Sequence, residues 1–168
     1  MMSTRIGNLF DVSKVPADTA EIIENFDKII QNIRPLNSRQ MQQLPENIRS
    51  LSHQMTDDRA ARRLGYMNEN IQLSSYVRYF TWWNLVRLTR LFSNLPDQSF
   101  PESDCVCLDL GSGPLTVVTA LFLARPELRK KSLCGIVLTF LQTAWPWVKI
   151  SFYLYVQSSM NSRGRLSA

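Results

Sequence analysis

Histidine and cysteine are scarce in this chain of 168 residues, which contains one histidine and three cysteines. The lone His53 lies in a polar stretch, so the sequence offers neither a serine-histidine relay nor a histidine-based metal cluster. Cys105, Cys107 and Cys134 lack metal-ligand spacing and fall in or near apolar runs, where free cysteine behaves as a small buried hydrophobe. The sequence therefore predicts no metal site and a reducing, cytoplasmic location, and it identifies no catalytic residue.

Acidic residues are missing from the last part of the chain, because all 14 lie at or before Glu127. Residues 1–14 contain no apolar stretch that would serve as a signal peptide, so this segment does not indicate export. The formal net charge is +5 and the isoelectric point is about 9.4. This excess of lysine and arginine is compatible with an RNA or ribosomal partner, since cationic side chains neutralise phosphates.

Helical patterns dominate residues 1–100. Large apolar residues recur at helical spacing from Asp18 to Pro35, which predicts one amphipathic helix. A second helix is predicted to begin at Ser38, although Pro45 disfavours its first part. The helix predicted after Asn70 alternates arginines with aromatic rings, as RNA-binding surfaces do, but its many aliphatic residues explain most rings as core. The residues concerned are Tyr76, Arg78, Tyr79, Phe80, Trp82, Trp83, Arg87 and Arg90.

Residues 105–116 carry the pattern that is most informative about function. A short apolar run ends in Asp109, and Gly111 and Gly113 follow it. Such a run suits a strand buried on both faces, and the glycines permit a tight turn whose backbone approaches a ligand closely. Pro114 suits the first turn of a following helix. The pattern predicts a nucleotide-type cofactor site, and the alternative is a tight turn with a structural role alone.

The spacing of Asp109, Gly111 and Gly113 resembles motif I, Asp-x-Gly-x-Gly, of the class I S-adenosylmethionine-dependent methyltransferases. The resemblance implies an α/β fold, in which an N-terminal helical region precedes the first strand-turn-helix of an incomplete Rossmann-like methyltransferase fold. It also implies S-adenosylmethionine as the cofactor. The cofactor-binding residues that it implies are Asp109, Gly111, Ser112, Gly113 and Pro114.

Two features of the turn qualify this resemblance. Many members of the superfamily carry a third small residue after the second glycine, whereas this chain has Pro114 and Leu115. A dinucleotide fingerprint, Gly-x-Gly-x-x-Gly, would need glycine at Thr116, so hydride transfer is the weaker interpretation.

A narrower likeness covers residues 60–133. The stretch from Tyr66 to Arg90, followed by residues 108–114, resembles the family of mitochondrial small-ribosomal-subunit methyltransferase-like proteins. This likeness implies an association with rRNA or the small ribosomal subunit.

The sequence divides into a helical region (1–100), the start of a methyltransferase-like domain (101–133) and an apolar tail (134–168). The second strand of the implied fold should end in an acid that binds ribose hydroxyls, yet residues 134–140 supply no carboxylate. We therefore expect a methyltransferase-like protein that lacks activity as it stands.

Two explanations of the tail remain open. Residues 133–156 are long enough to span a membrane, although Lys149 disfavours insertion; the alternative function is then a non-enzymatic, membrane-tethered or interaction protein. The other explanation is a truncation or frameshift after about residue 133, since another reading frame permits a strand, a terminal acid and a helix. The nucleotide sequence beyond codon 133 distinguishes the two.

Overall fold

The computed structural model describes residues 11–57, 69–100, 105–110, 113–130 and 133–138. The α-helices within these ranges are α1 (Ala17–Glu24), α2 (Phe26–Ile33), α3 (Ser38–Thr56), α4 (Asn70–Ser75), α5 (Trp82–Asn94) and α6 (Thr116–Ala124). A π-helical segment, Tyr76–Thr81, joins α4 to α5. Single 3₁₀ turns lie at Val12–Lys14, Asp97–Ser99 and Pro126–Lys130, and the strands are β1 (Cys105–Leu110) and β2 (Leu133–Leu138).

The apolar stretch from Asp18 to Pro35 forms two helices rather than the single one predicted. Asn25 separates them with φ −92° and ψ 9°, and its side-chain amide donates to the Glu21 carbonyl at 2.9 Å. An asparagine side chain competes for backbone acceptors in this way, which favours the end of a helix. Phe26 and Ile30 nevertheless lie on one buried face of α2, at 2% and 1% exposure.

The helix predicted to begin at Ser38 is confirmed, and it continues through Pro45 to Thr56. Asn37 and Gln40 form a capping box, in which each side chain accepts from the backbone N–H of the other. Leu51 anchors the helix in the core at 1% exposure. This cap and this anchor offset the hydrogen bond that proline removes.

α4, the π-helical segment and α5 form one continuous helix, here called the aromatic helix (Asn70–Asn94). Its turns widen at Tyr76. The preceding residue, Ser75, donates its hydroxyl to the Ile71 carbonyl at 2.8 Å. The hydroxyl thereby competes with backbone N–H groups for this acceptor at the point where α-helix changes to π-helix. Short π-helical insertions often accompany functional sites, because they displace side chains from the regular helical positions.

The predicted fold class, α/β with the opening of a Rossmann-like methyltransferase fold, is wrong. Most described residues are helical, and the two strands pair only with each other within the described ranges. Among the residues whose burial the structure describes, the apolar core cluster is helical. The members of this cluster are Ile22, Phe26, Ile30, Leu51, Leu73, Val77, Leu85, Ala120 and Leu123.

The two strands run parallel, with Asp109 opposite Val137 and Leu110 opposite Leu138. Their carboxyl ends therefore lie side by side. A long-range hydrogen bond joins α6 to the N-terminal helices: the buried Thr19 hydroxyl donates to the Leu123 carbonyl at 2.7 Å.

Candidate functional site

The candidate site lies at the carboxyl ends of the strands, where the chain turns from β1 toward α6. Asp109 is the penultimate residue of β1, while Gly113 and Pro114 occupy the turn before α6. Gly111 and Ser112 lie outside the described residues. Parallel pairing places the carboxyl ends of the two strands side by side.

Asp109 is half-buried, and its Oδ2 atom is buried without a hydrogen-bond partner among the residues that the structure describes. Burial raises the pKa of this carboxyl above its ordinary value of 3.8. A carboxylate oxygen removed from water and left unpaired destabilises the charged form, and a nearby cation would reverse that effect. Asp109 is therefore a carboxyl whose ionised form is disfavoured by burial.

Tyr76 is a member of this site that the sequence did not indicate. A Cβ atom added to Gly113 would lie 3.7 Å from the Tyr76 hydroxyl oxygen, so the ring end of Tyr76 borders the turn. Tyr76 is the first residue of the π-helical segment and stacks on Phe80 at 5.5 Å between ring centroids. Only the packing of the aromatic helix beside the turn brings this hydroxyl to Gly113.

The turn itself contains two left-handed residues, Gly113 at φ 51° and Leu115 at φ 61°. Leu115 is the N-cap residue of α6, so the helix begins at Thr116 and not at Pro114 as predicted. Pro114 is buried in the turn that precedes the helix. A left-handed leucine costs roughly 1–2 kcal/mol, which indicates that surrounding packing fixes this conformation.

Alanine at Gly113 is expected to lower the free energy of unfolding by about 1 kcal/mol, because its left-handed φ disfavours a Cβ atom. A contact of 3.7 Å with Tyr76 is ordinary, so the loss comes from the backbone and not from a clash. Urea denaturation measures the change. Asparagine at Gly113 tolerates the left-handed region and should cost less; equal losses for both variants would show that backbone conformation is not the cause.

The aromatic helix separates the rings into two groups. Tyr76, Phe80 and Trp82 pack against the core, and the Trp82 indole N–H donates to the Ile23 carbonyl at 3.1 Å. Tyr79 and Trp83 are exposed at 42% and 44%.

Of the arginines on the aromatic helix, Arg78 is unsuited to an RNA surface. Its side chain is only 2% exposed, and it is paired with Asp27. Arg87 is exposed and Arg90 half-buried.

Several other predictions concern parts of the chain that the structure leaves out. The membrane span predicted for 133–156 lies outside the described residues beyond Leu138. Across the described ranges, the structure contains no helix with the length and apolarity that a membrane crossing requires. Cys105, Cys107 and Cys134 lie in the strands, but their side chains belong to the part not described, so their predicted burial stays a prediction.

Comparison with known proteins adds nothing to these observations: no family model, curated protein or solved structure matches the chain.

Proposed function

We propose that this chain derives from an S-adenosylmethionine-dependent methyltransferase and that the turn between β1 and α6 is its cofactor-contacting part. The observation that carries the proposal is the buried, unpartnered Oδ2 of Asp109 beside a glycine turn. The proposal depends on the position of this carboxyl oxygen beside the turn and on the motif Asp109, Gly111 and Gly113. It does not depend on an α/β fold.

The cofactor's chemistry fits the turn. S-adenosylmethionine carries a cationic amino group on its methionine part, and a buried carboxylate favours such a cation through a charge-assisted hydrogen bond. Gly113 bears no side chain on the turn, and the Tyr76 hydroxyl oxygen lies 3.7 Å from the position that its Cβ atom would take.

Methyl transfer itself needs more than this turn. A complete site also holds the adenosine part and places an acceptor in line with the methyl group. β2 supplies no carboxylate for the ribose hydroxyls, because residues 133–138 contain neither aspartate nor glutamate. We therefore propose a vestigial site with weak cofactor binding and no turnover, in a protein that associates with rRNA or the small ribosomal subunit.

The cofactor site is tested by titrating isotopically labelled protein with S-adenosylmethionine and following the amide resonances of Asp109 and Gly113. We expect saturable shifts at both residues, with a dissociation constant between about 0.1 and 1 mM. Asp109→Asn should weaken binding about tenfold or more, because it removes a charge-assisted hydrogen bond. Methylthioadenosine lacks the amino acid part and should leave both resonances unmoved.

Two outcomes would contradict this proposal. The absence of shifts at the turn up to about 5 mM cofactor would remove the cofactor site, since that concentration exceeds the expected constant many times over. Low-micromolar affinity, or transfer of a labelled methyl group to small-subunit rRNA, would show that the site is not vestigial.

The same Asp109→Asn variant is expected to be more stable than the wild type at pH 7. Because the folded-state pKa lies above 3.8, ionising Asp109 opposes folding above that raised pKa, and the effect disappears as the pH falls below 3.8. Thermal unfolding between pH 3 and 8 measures the difference, which should shrink toward acid pH.

Asp57→Asn provides a control of opposite sign. Hydrogen bonds from His53 and Thr56 lower the pKa of this exposed carboxyl, so its ionised form favours folding above 3.8 and that contribution is lost toward acid. If Asp109→Asn behaves like Asp57→Asn, the Asp109 carboxylate stabilises the fold, and the case for a ligand site fails.

A further inference from the structure

Two large aromatic side chains stand on the outer side of the aromatic helix. Tyr79 and Trp83 are 42% and 44% exposed, whereas the neighbouring Trp82 and Phe80 pack against the core. They lie four positions apart, Tyr79 in the π-helical segment and Trp83 in α5. We call these two exposed rings the aromatic stripe. Arg87, four positions after Trp83, lies on the same side of α5 as Trp83.

The helix that carries these rings has no acid of its own, although the exposed Asp27 of α2 pairs with Arg78. From Asn70 to Pro96 the chain contains three arginines and no acidic residue. Arg78 is buried in its pair with Asp27, whereas Arg87 is exposed and Arg90 is half-buried. The Arg87 guanidinium donates to the Asn84 side-chain oxygen at 2.6 Å, so it is held along the helix at the end of the stripe.

We infer that Tyr79, Trp83 and Arg87 form a contact surface for single-stranded RNA, on which two bases stack and Arg87 meets a phosphate. Ring faces stack on any base, and guanidinium groups pair with phosphates without reading sequence. An acid-free helix with exposed rings is complementary to a polyanion that displays its bases. The inference rests on the RNA association included in the proposed function and identifies the residues that would provide it.

The test uses the full chain and a fluorescent single-stranded RNA of about twelve nucleotides, within the length that such surfaces cover. Fluorescence anisotropy at low salt should show saturable binding, and a duplex of the same sequence should bind more weakly because its bases are already stacked. Replacing both Tyr79 and Trp83 with alanine should weaken binding to the single strand by about a hundredfold, about tenfold for each ring.

Conservative variants separate stacking from other causes. Trp83→Phe keeps a ring and should retain most of the affinity, whereas Trp83→Leu keeps apolar area without a π-face and should lose about tenfold. Arg49→Ala removes an exposed arginine far along the chain, on α3, and should cost less than Arg87→Ala. Circular dichroism should show all these variants folded, since the replaced side chains are exposed.

The inference is overturned if the wild type fails to bind the single strand, if the duplex binds equally well, or if Trp83→Leu binds like the wild type. The last result would indicate an apolar docking face for a protein. The variant with alanine at both Tyr79 and Trp83 is also titrated with S-adenosylmethionine. Its amide shifts at Gly113 should match those of the wild type, so failure of RNA binding is distinguished from failure of the cofactor site.

Discussion

Replacing Arg125 with alanine is expected to lower the free energy of unfolding by about 3 kcal/mol. Its guanidinium donates to the carbonyls of Phe92 and Leu95 at the end of α5, with 3.0 Å to the Phe92 oxygen. It also pairs with Asp97 at 2.9 Å and lies 4.5 Å from the centre of the Phe100 ring. Because the side chain is only 14% exposed, alanine would leave these helix-terminal carbonyls without their donor.

Urea denaturation measures this change, with two variants as comparisons. Arg125→Lys keeps the charge but loses the planar fork, so it should recover only part of the stability. Arg49→Ala removes an exposed pair with Glu46, whose side chains are 68% and 73% exposed, and should change stability by about 0.5 kcal/mol or less. A loss at Arg125 no larger than that at Arg49 would refute the proposed cap of α5.

Replacing Arg78 alone with alanine is also expected to lower the free energy of unfolding by about 3 kcal/mol. This side chain links the π-helical segment to α2, with 2.5 Å to Asp27 and 2.6 Å to Gln31. It also donates to the Arg34 carbonyl at 3.2 Å. Alanine would leave the Gln31 and Arg34 acceptors without this donor in a partly buried position.

Arg87→Ala is the matched control for Arg78→Ala, because both residues belong to the same continuous helix and differ in burial. Arg87 is exposed and, among the described residues, bonds within its own turn, so its replacement should shift stability by about 0.5 kcal/mol or less. Equal thermal midpoints for the two variants would show that the buried network does not hold α2 against the aromatic helix.

The same contrast explains why sequence analysis could not choose among the arginines. Arg78 and Arg87 occupy equivalent surroundings in the sequence, each beside aromatic and aliphatic residues. Their roles differ because α2 lies against one side of the helix and supplies Asp27 and Gln31 to Arg78 alone. Burial of a long cationic side chain depends on a partner from another element, which local pattern does not contain.

The fold class was misjudged for a related reason. An apolar run, an acid and glycines describe a local turn, and many folds contain such turns. The class is decided by which apolar faces meet, and here the core joins α2, α3 and the aromatic helix to α6. The apolar periodicity from Asp18 to Pro35 predicted helix but not the break at Asn25. That break depends on a hydrogen bond from the Asn25 side chain to the Glu21 carbonyl.

By itself, the sequence determined the local features of this protein: the helix that begins at Ser38, the scarcity of histidine and cysteine, the acid-free aromatic segment and the position of the glycine motif. These follow from side-chain periodicity, capping chemistry and composition. Only the tertiary structure decided that Tyr76 borders Gly113, that Asp109 keeps an unpaired buried oxygen and that Tyr79 and Trp83 remain exposed. These three features depend on which side chains are removed from water when distant segments of the chain pack together. Local sequence does not contain that information.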